Sequence, residues 1–247
     1  MPPRAAKPVG VVLVDKPAGR SSFALVVELR RRTGARTGHT GTLDPFATGL
    51  LVQLSGAATK LGPCFVGLDK RYVTDVDLTS RTTTGDPEGE TIEEHEPPAE
   101  SELEQSLARL RGEVELPIPA TSAVKIGGER AYRLARRSNA VERPLRRSQV
   151  YALDVIAYTG ETVRLGLHVG SGTYVRAIAD ALGGHCLTLR RTAVGPFTVE
   201  EAAPEGWLSV ADALARLPAD AVARVAPAVR ERVLALAADD EAVPGGR

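Results

Sequence analysis

The sequence predicts an α+β fold with a mixed, largely antiparallel central sheet that is flanked by helices and loops. Apolar runs of strand length and apolar positions at helical spacing both occur along the 247 residues. They do not alternate in the regular strand–helix order of a parallel α/β sheet. The hydrophobic fraction of 43% is ordinary for a globular protein with a core, and aromatic residues make up only 4%. The core is therefore expected to consist mainly of Leu, Val and Ala.

Each element has a local signal. Strands are predicted where apolar residues run together or alternate with polar ones, namely at residues 9–14, 50–54, 72–78, 122–126, 150–157, 163–169 and 187–194. Helices are predicted from caps and helical spacing, namely at residues 22–32, 57–61, 101–111, 129–137, 174–182 and 208–217. Ser21 and Ser22 are the candidate N-caps of the first long helix, and Gly34 is expected to stop it. Residues 81–98 are polar and acidic and should form an exposed, mobile loop, and the last residues of the Ala-rich tail from Ala219 are expected to fray.

Composition excludes several classes of protein. No stretch approaches the roughly 20 apolar residues of a membrane span, and the short run at residues 9–14 lacks the features of a signal peptide. Cys64 and Cys186 lie far apart without metal-ligand spacing, so neither a metal site nor a disulfide is expected. We therefore expect a cytoplasmic protein with two ordinary thiols and no bound metal.

Charge is distributed unevenly, although the chain carries 31 basic and 31 acidic residues. Every Asp, Glu, Lys or Arg from Asp86 to Glu104 is acidic, whereas Lys125 to Arg147 contains eight basic residues against Glu129 and Glu142. This asymmetry allows a basic face that binds nucleic acid without a basic protein. A solvated, Arg-rich helix is the alternative interpretation of the same residues.

The segment from Gly38 to Leu51 places one carboxylate, Asp44, in a loop rich in glycine and threonine that leads into an apolar run. Pro45 favours an extended conformation at Asp44. On these residues alone, Asp44 either sits at the edge of a cleft or only caps the next element. His39, five residues earlier, belongs to the same loop.

Six segments in order resemble the N-terminal strand and five motifs of the TruB family, the bacterial tRNA pseudouridine-55 synthases. The resemblance extends from about residue 9 to residue 197. The matching segments are Gly10–Gly19 with Ser21–Ser22, Gly38–Leu51, Asp69–Tyr72, Thr121–Lys125 with Gly128 and Tyr132, Gly170–Arg176, and Leu189–Phe197. The first of these is the family's N-terminal strand with its Asp-Lys-Pro turn, and the other five are its motifs. The resemblance implies a pseudouridine synthase fold.

The resemblance also implies residue roles. Asp44 would be the nucleophile, Arg176 would pair with it, Tyr72 would stack on the flipped base, and His39 would fill the gap that flipped nucleotides leave. A flipped base is expected because the target lies inside a folded RNA stem-loop. Less specific candidates for phosphate contacts are Lys16, Lys70, Lys125 and Arg146.

The activity so implied is isomerisation of uridine 55 in the tRNA T loop to pseudouridine, by a monomer that needs no cofactor. We expect a catalytic domain over residues 1–200 and a helical extension over 201–247, with no room for a complete PUA domain. The connection after Gly183 is also shorter than is usual in the family. Two alternatives stay open: an RNA chaperone without catalysis, and a KH-like module, because residues 38–41 formally satisfy Gly-x-x-Gly.

Overall fold

A computed structural model of the protein describes residues 8–119, 125–126, 129–130, 143–202 and 206–241. The chain divides into two compact units. Residues 1–70 and 190–247 form the first unit, and residues 71–189 form the second. Within the described ranges, no helix combines the length and the apolar character that crossing a membrane requires.

The secondary structure mixes strands and helices throughout. The strands are β1 (Gly10–Lys16), β2 (Thr37–His39), β3 (Thr48–Ser55), β4 (Lys70–Asp77), β5 (Ser80–Thr82), β6 (Thr91–Glu94), β7 (Gly112–Pro117), β8 (Lys125–Ile126), β9 (Glu129–Arg130), β10 (Leu145–Tyr158), β11 (Thr162–Val169), β12 (His185–Val194), β13 (Phe197–Thr198) and β14 (Trp207–Leu208). The helices are α1 (Ser22–Thr33), α2 (Gly62–Val66), α3 (Glu100–Arg109), α4 (Val175–Ala181), α5 (Val210–Ala215), α6 (Ala219–Val222) and α7 (Pro227–Glu241), with 3₁₀ turns at Gly56–Leu61 and Val199–Glu201.

The sheet of the first unit is mixed. Strand β1 pairs antiparallel with β3 over seven residues and with β14 on its other side. Strand β2 pairs antiparallel with β3, whereas residues 190–191 of β12 pair with β3 in parallel. This arrangement confirms the predicted α+β fold with a mixed sheet.

The core of the first unit is built mainly from aliphatic side chains, as the composition predicts. Buried residues of β1 and β3 pack with the rings of Phe65 and Phe197, whose centroids are 5.9 Å apart. Buried side chains from helices α5 to α7 complete this cluster, among them Val210, Val233 and Ala237. Helix α7 lies within residues 201–247, where a helical extension is expected from the sequence.

The second unit contains strands in the order β12, β4, β11, β10, β7, with residues 185–189 of β12 at one end. The long strand β10 pairs antiparallel with β11 and with β7, and two bulges interrupt its pairing with β11. Helix α4 begins at Val175. Helix α4 follows β11 after a short glycine-containing turn, and Arg176 is its second residue.

Most predicted elements are confirmed within a few residues, and three predictions are wrong. Residues 81–98 do not form an exposed loop. Strands β5 and β6 pair as a hairpin, and Asp86, in the segment that joins them, is buried. Gly112 begins strand β7, and helix α3 already ends at Arg109. Residues 129–130 form a strand paired with β8, and the rest of the helix predicted over 129–137 lies outside the described residues. Cys64 and Cys186 are free, buried thiols.

Candidate active site

Asp44 lies on the loop that joins β2 to β3 in the first unit, and its side chain is partly exposed. The two strands pair antiparallel up to His39 opposite Gln53, and the Thr40 N–H then donates to the Val52 carbonyl at 3.0 Å. The Ala47 N–H donates to the Asp44 carbonyl at 3.2 Å and so closes a tight turn. The carboxylate therefore stands on a short loop that is anchored at both ends.

Ser22, at the start of α1, fixes the residue before Asp44. Its hydroxyl donates to the Leu43 carbonyl at 2.9 Å and accepts from the Leu43 N–H at 2.8 Å. Both Ser22 and Leu43 are buried. A single hydroxyl thus satisfies both backbone polar groups of Leu43, groups that are costly to bury unpaired.

Pro45, the residue after Asp44, is held by the turn that follows β1. The fully buried Lys16 ammonium donates to the Pro45 carbonyl at 3.1 Å and to the Pro17 carbonyl at 2.9 Å. The Gly19 N–H also donates to the Pro45 carbonyl, at 2.8 Å. The Asp-Lys-Pro turn after β1 therefore supports the Asp44 loop through backbone oxygens.

Arg191 on β12 holds the remaining part of the loop. Its guanidinium donates to the carbonyls of Leu50 at 2.7 Å, Gly41 at 3.1 Å and Thr42 at 3.5 Å, and the residue is only 2% exposed. Gly49 pairs with Arg191 and has a φ of +101°, and a Cβ there would overlap the Arg191 backbone. Only glycine fits this close, left-handed position.

His39 is partly buried beside this loop. Burial, and next the nearby Arg191 charge, lower the pKa of its imidazole, so the neutral ring is favoured at neutral pH. Among the described residues, its Nδ1 has no hydrogen-bond partner, and neither does Oε1 of the facing, buried Gln53. His39 can therefore act as a neutral, flat surface rather than as a cation.

Arg176 and Tyr72 belong to the second unit. Arg176 is 3% exposed, and its Nη1 donates to Asp86 Oδ2 at 3.0 Å and to the Thr84 carbonyl at 2.8 Å. The other Asp86 oxygen accepts from the Thr84 hydroxyl at 2.6 Å and from the Glu88 N–H at 3.1 Å. The hairpin loop between β5 and β6 thus fixes this guanidinium by a buried, hydrogen-bonded ion pair. Tyr72 is half-buried on β4.

The remaining candidates for phosphate contacts are placed differently from one another. Lys70 is buried, its ammonium donates to the carbonyls of Val66 and Leu68, and burial lowers its pKa to about 8. Arg146 is partly exposed and lies against Gly172 in the loop before α4. The side chain of Lys125 lies outside the described part of the chain. Buried ammonium groups that donate to backbone carbonyls favour a supporting role for Lys16 and Lys70 over phosphate contact.

The structure thus groups Asp44, His39 and Lys16 in the first unit, and Tyr72, Arg176 and Arg146 in the second. The supporting residues that sequence reasoning missed are Ser22, Arg191 and Asp86. Ser22 was assigned only as a cap, and Asp86 was placed in an exposed acidic loop. In the described ranges, no group of three or more His, Cys, Asp or Glu residues could hold a metal ion.

Comparison with known proteins identifies the family of the chain. A family model described as the N-terminal domain of TruB family pseudouridylate synthases matches residues 30–175. The chain is 41% identical over 210 residues to tRNA pseudouridine synthase B of Mycobacterium sp. (strain KMS), which covers 79% of this chain and 70% of the relative.

The chain belongs to the TruB family.

A second TruB-family relative, tRNA pseudouridine synthase B of Leifsonia xyli subsp. xyli, is 41% identical over 221 residues, covering 83% of the chain and 73% of the relative. Among solved structures, a crystal structure of a Cbf5–Nop10–Gar1 complex matches with a TM-score of 0.58 and 28% identity. The match covers 76% of this chain, which spans half the length of that solved chain. Membership of the TruB family confirms the resemblance, the pseudouridine synthase fold and the class of enzyme, an isomerase that modifies RNA.

Proposed function

We propose that the chain isomerises uridine 55 in the T loop of tRNA to pseudouridine, with Asp44 as the attacking nucleophile. The proposal is carried by the setting of Asp44, a partly exposed carboxylate whose two neighbours in the chain are held by Ser22 and Lys16. Relatives that are named tRNA pseudouridine synthase B support tRNA as the substrate.

The chemistry that this carboxylate can perform is a rearrangement without net oxidation or reduction. Asp44 attacks the nucleotide, the bond between N1 of the base and C1′ of the ribose breaks, and the base turns. A new bond then joins C5 to C1′, C5 loses its proton, N1 gains one, and the carboxylate is released. Substrate and product are isomers, so the balance requires no cofactor. Attack on the sugar and attack on the base both fit this outline.

Three further residues complete the proposal. A base inside a folded stem-loop must be extruded before it can react. Tyr72 is assigned to stack on the flipped base, a contact worth ~1–3 kcal/mol, and the neutral ring of His39 is assigned to the gap that is left. Arg176 is assigned as the partner of Asp44. A guanidinium has five N–H donors in a planar fork, so one that Asp86 holds through Nη1 can also engage a second carboxylate.

The two alternative functions are a KH-like RNA-binding module and an RNA chaperone without catalysis. The KH-like hypothesis is wrong, because residues 38–41 join strand β2 to the Asp44 loop and not one helix to another. A chaperone that only binds RNA does not need a nucleophile on an anchored loop. We propose a catalyst that acts as a monomer on the T arm, in the cytoplasm where tRNA is located.

The test is to incubate the protein with an unmodified tRNA transcript and to map pseudouridine at nucleotide resolution. We expect a single modified position, residue 55, and no product with a transcript that carries cytidine there. Modification at another uridine would contradict the assigned position, and the absence of any product would contradict the proposed reaction.

A further inference from the structure

Helix α1 has an exposed face that the proposed reaction does not use. Its first residue, Ser22, is bonded to Leu43 in the Asp44 loop, and the Thr37 hydroxyl of β2 donates to the Val26 carbonyl in its middle at 3.0 Å. Gly34, at a φ of +61°, ends the helix. One contact reaches the loop that carries Asp44 and the other reaches β2, the strand that precedes this loop. The helix is therefore fixed relative to the candidate nucleophile.

The C-terminal end of this helix is strongly basic. Residues 20–36 contain five arginines and one glutamate, a net charge of +4 in a chain whose net charge is zero. Glu28 pairs with Arg20 at 2.8 Å. Arg30, Arg31 and Arg36 are exposed, and none of them forms an ion pair with any residue that the structure describes.

The helix dipole does not account for this cluster. The C-terminus of a helix carries roughly half a negative charge, which one cation in the last turn already complements. Arg30, Arg31 and Arg32 occupy three successive positions of that turn, where like charges repel one another. An unpaired group of cations at this density is typical of a surface that meets a polyanion.

An exposed aromatic residue lies on the same face. Phe23 is 68% exposed, the most exposed of the large hydrophobic residues that the structure describes. At 100° per residue, Phe23, Val27, Arg30 and Arg31 fall within a stripe about 100° wide, and Phe23 is separated from Arg30 by ~10 Å along the axis. An aromatic side chain interleaved with cations is a combination that binds nucleic acid through both stacking and charge.

We propose that Phe23, Arg30 and Arg31, here called the α1 face, bind the ribose–phosphate backbone and a neighbouring base of the substrate RNA. This inference rests on the proposed function, since it takes RNA as the ligand. The aromatic residue lies one position after Ser22, beside the Asp44 loop, and the arginines continue away from it. RNA that reaches Asp44 is therefore extended along α1.

The first test removes two charges from the α1 face in the double variant Arg30→Gln/Arg31→Gln. Its control, Arg109→Gln/Arg232→Gln, removes two exposed charges from helices α3 and α7. The dissociation constant for an unmodified tRNA transcript is measured over a range of salt concentrations. Each lost phosphate contact reduces the slope of log K against log salt by ~0.7–0.9, so we expect a slope smaller by about 1.5 and binding weakened about tenfold at low salt.

The control should keep the wild-type slope, and both double variants should keep the wild-type melting temperature. Single-turnover pseudouridine formation at saturating enzyme should also be unchanged, because neither arginine is assigned to the reacting base. A second variant, Phe23→Ala, should weaken binding at least ~5-fold and leave the salt slope unchanged, because it removes stacking and no charge.

Equal slopes and affinities for the α1 double variant and its control would overturn the proposal. This failure is distinct from failure of the proposed function. The difference in salt slope between the α1 double variant and its control tests the α1 face, whereas the absence of pseudouridine from the wild-type reaction would contradict the chemistry.

Discussion

Replacing Ser22 by alanine should impair catalysis more than it impairs binding, although Ser22 is not assigned to touch the substrate. The change removes one hydroxyl that is 2% exposed and that makes two hydrogen bonds to Leu43. The Leu43 N–H and carbonyl would then be buried without partners. Because Leu43 precedes Asp44, we expect the carboxylate to lose its fixed position.

The magnitude follows from the two orphaned groups. An unsatisfied buried donor or acceptor costs about 1–3 kcal/mol, so the free energy of unfolding should fall by at least ~2 kcal/mol. This loss is tolerable for a domain stabilised by about 5–15 kcal/mol. A displacement of a reacting group by about 1 Å can reduce the rate ~100-fold, and we expect kcat to fall ten- to hundredfold.

The assay is single-turnover pseudouridine formation at a temperature where the variant is fully folded, together with urea denaturation and tRNA binding. The matched control is Ser21→Ala, which removes the N-cap of the same helix, where the Ser21 hydroxyl accepts from the Ala24 N–H at 3.1 Å. Loss of an N-cap costs ~1 kcal/mol and leaves the Leu43 contacts intact. The reasoning is refuted if Ser22→Ala has the same rate as Ser21→Ala.

Three further predictions concern other parts of the site. Arg176→Lys should lower the rate at least ~100-fold and destabilise the protein, because one ammonium cannot both hold Asp86 and offer the planar fork that is assigned to Asp44; a wild-type rate would show that a point charge is sufficient. Gly49→Ala should reduce both the yield of folded protein and the rate, because its Cβ would overlap the Arg191 backbone, and unchanged thermal unfolding would contradict this. Arg146→Gln/Arg147→Gln should weaken tRNA binding and flatten its salt dependence with little change in the single-turnover rate, whereas an unchanged slope would show that these residues are only a solvated surface.

The sequence predicted those elements whose signals are local. Helix α1 was identified from Ser21 and Gly34, and the structure shows both acting as caps. Strands β1 and β3 were identified from continuous apolar runs, which is the pattern of strands buried on both faces. The bounds of helix α7 within the expected helical extension could not be predicted, because an Ala- and Arg-rich tail carries a weak apolar pattern. Packing of Val233 and Ala237 on the core defines the inner face of this helix.

The support of the site could not be predicted because it depends on pairings between distant residues. Asp86 meets Arg176 across 90 residues of sequence, and Arg191 reaches the Leu50 carbonyl across 141. Acidic residues in a polar segment usually indicate a solvated loop, and no local pattern distinguishes the one that is buried. The motif resemblance identified Asp44, but only the fold shows that Ser22, Lys16 and Arg191 hold its loop.

The central claim is that Asp44 carries the chemistry, and the most direct test is the Asp44→Asn variant on an unmodified tRNA transcript. This substitution removes the charge and keeps the shape, so we expect tRNA binding close to that of the wild type and no pseudouridine at position 55. The rate should be below ~1% of the wild-type rate, equivalent to a barrier at least ~2.7 kcal/mol higher. An Asp44→Asn enzyme that binds normally and turns over above that level would contradict the assignment of Asp44 as the nucleophile.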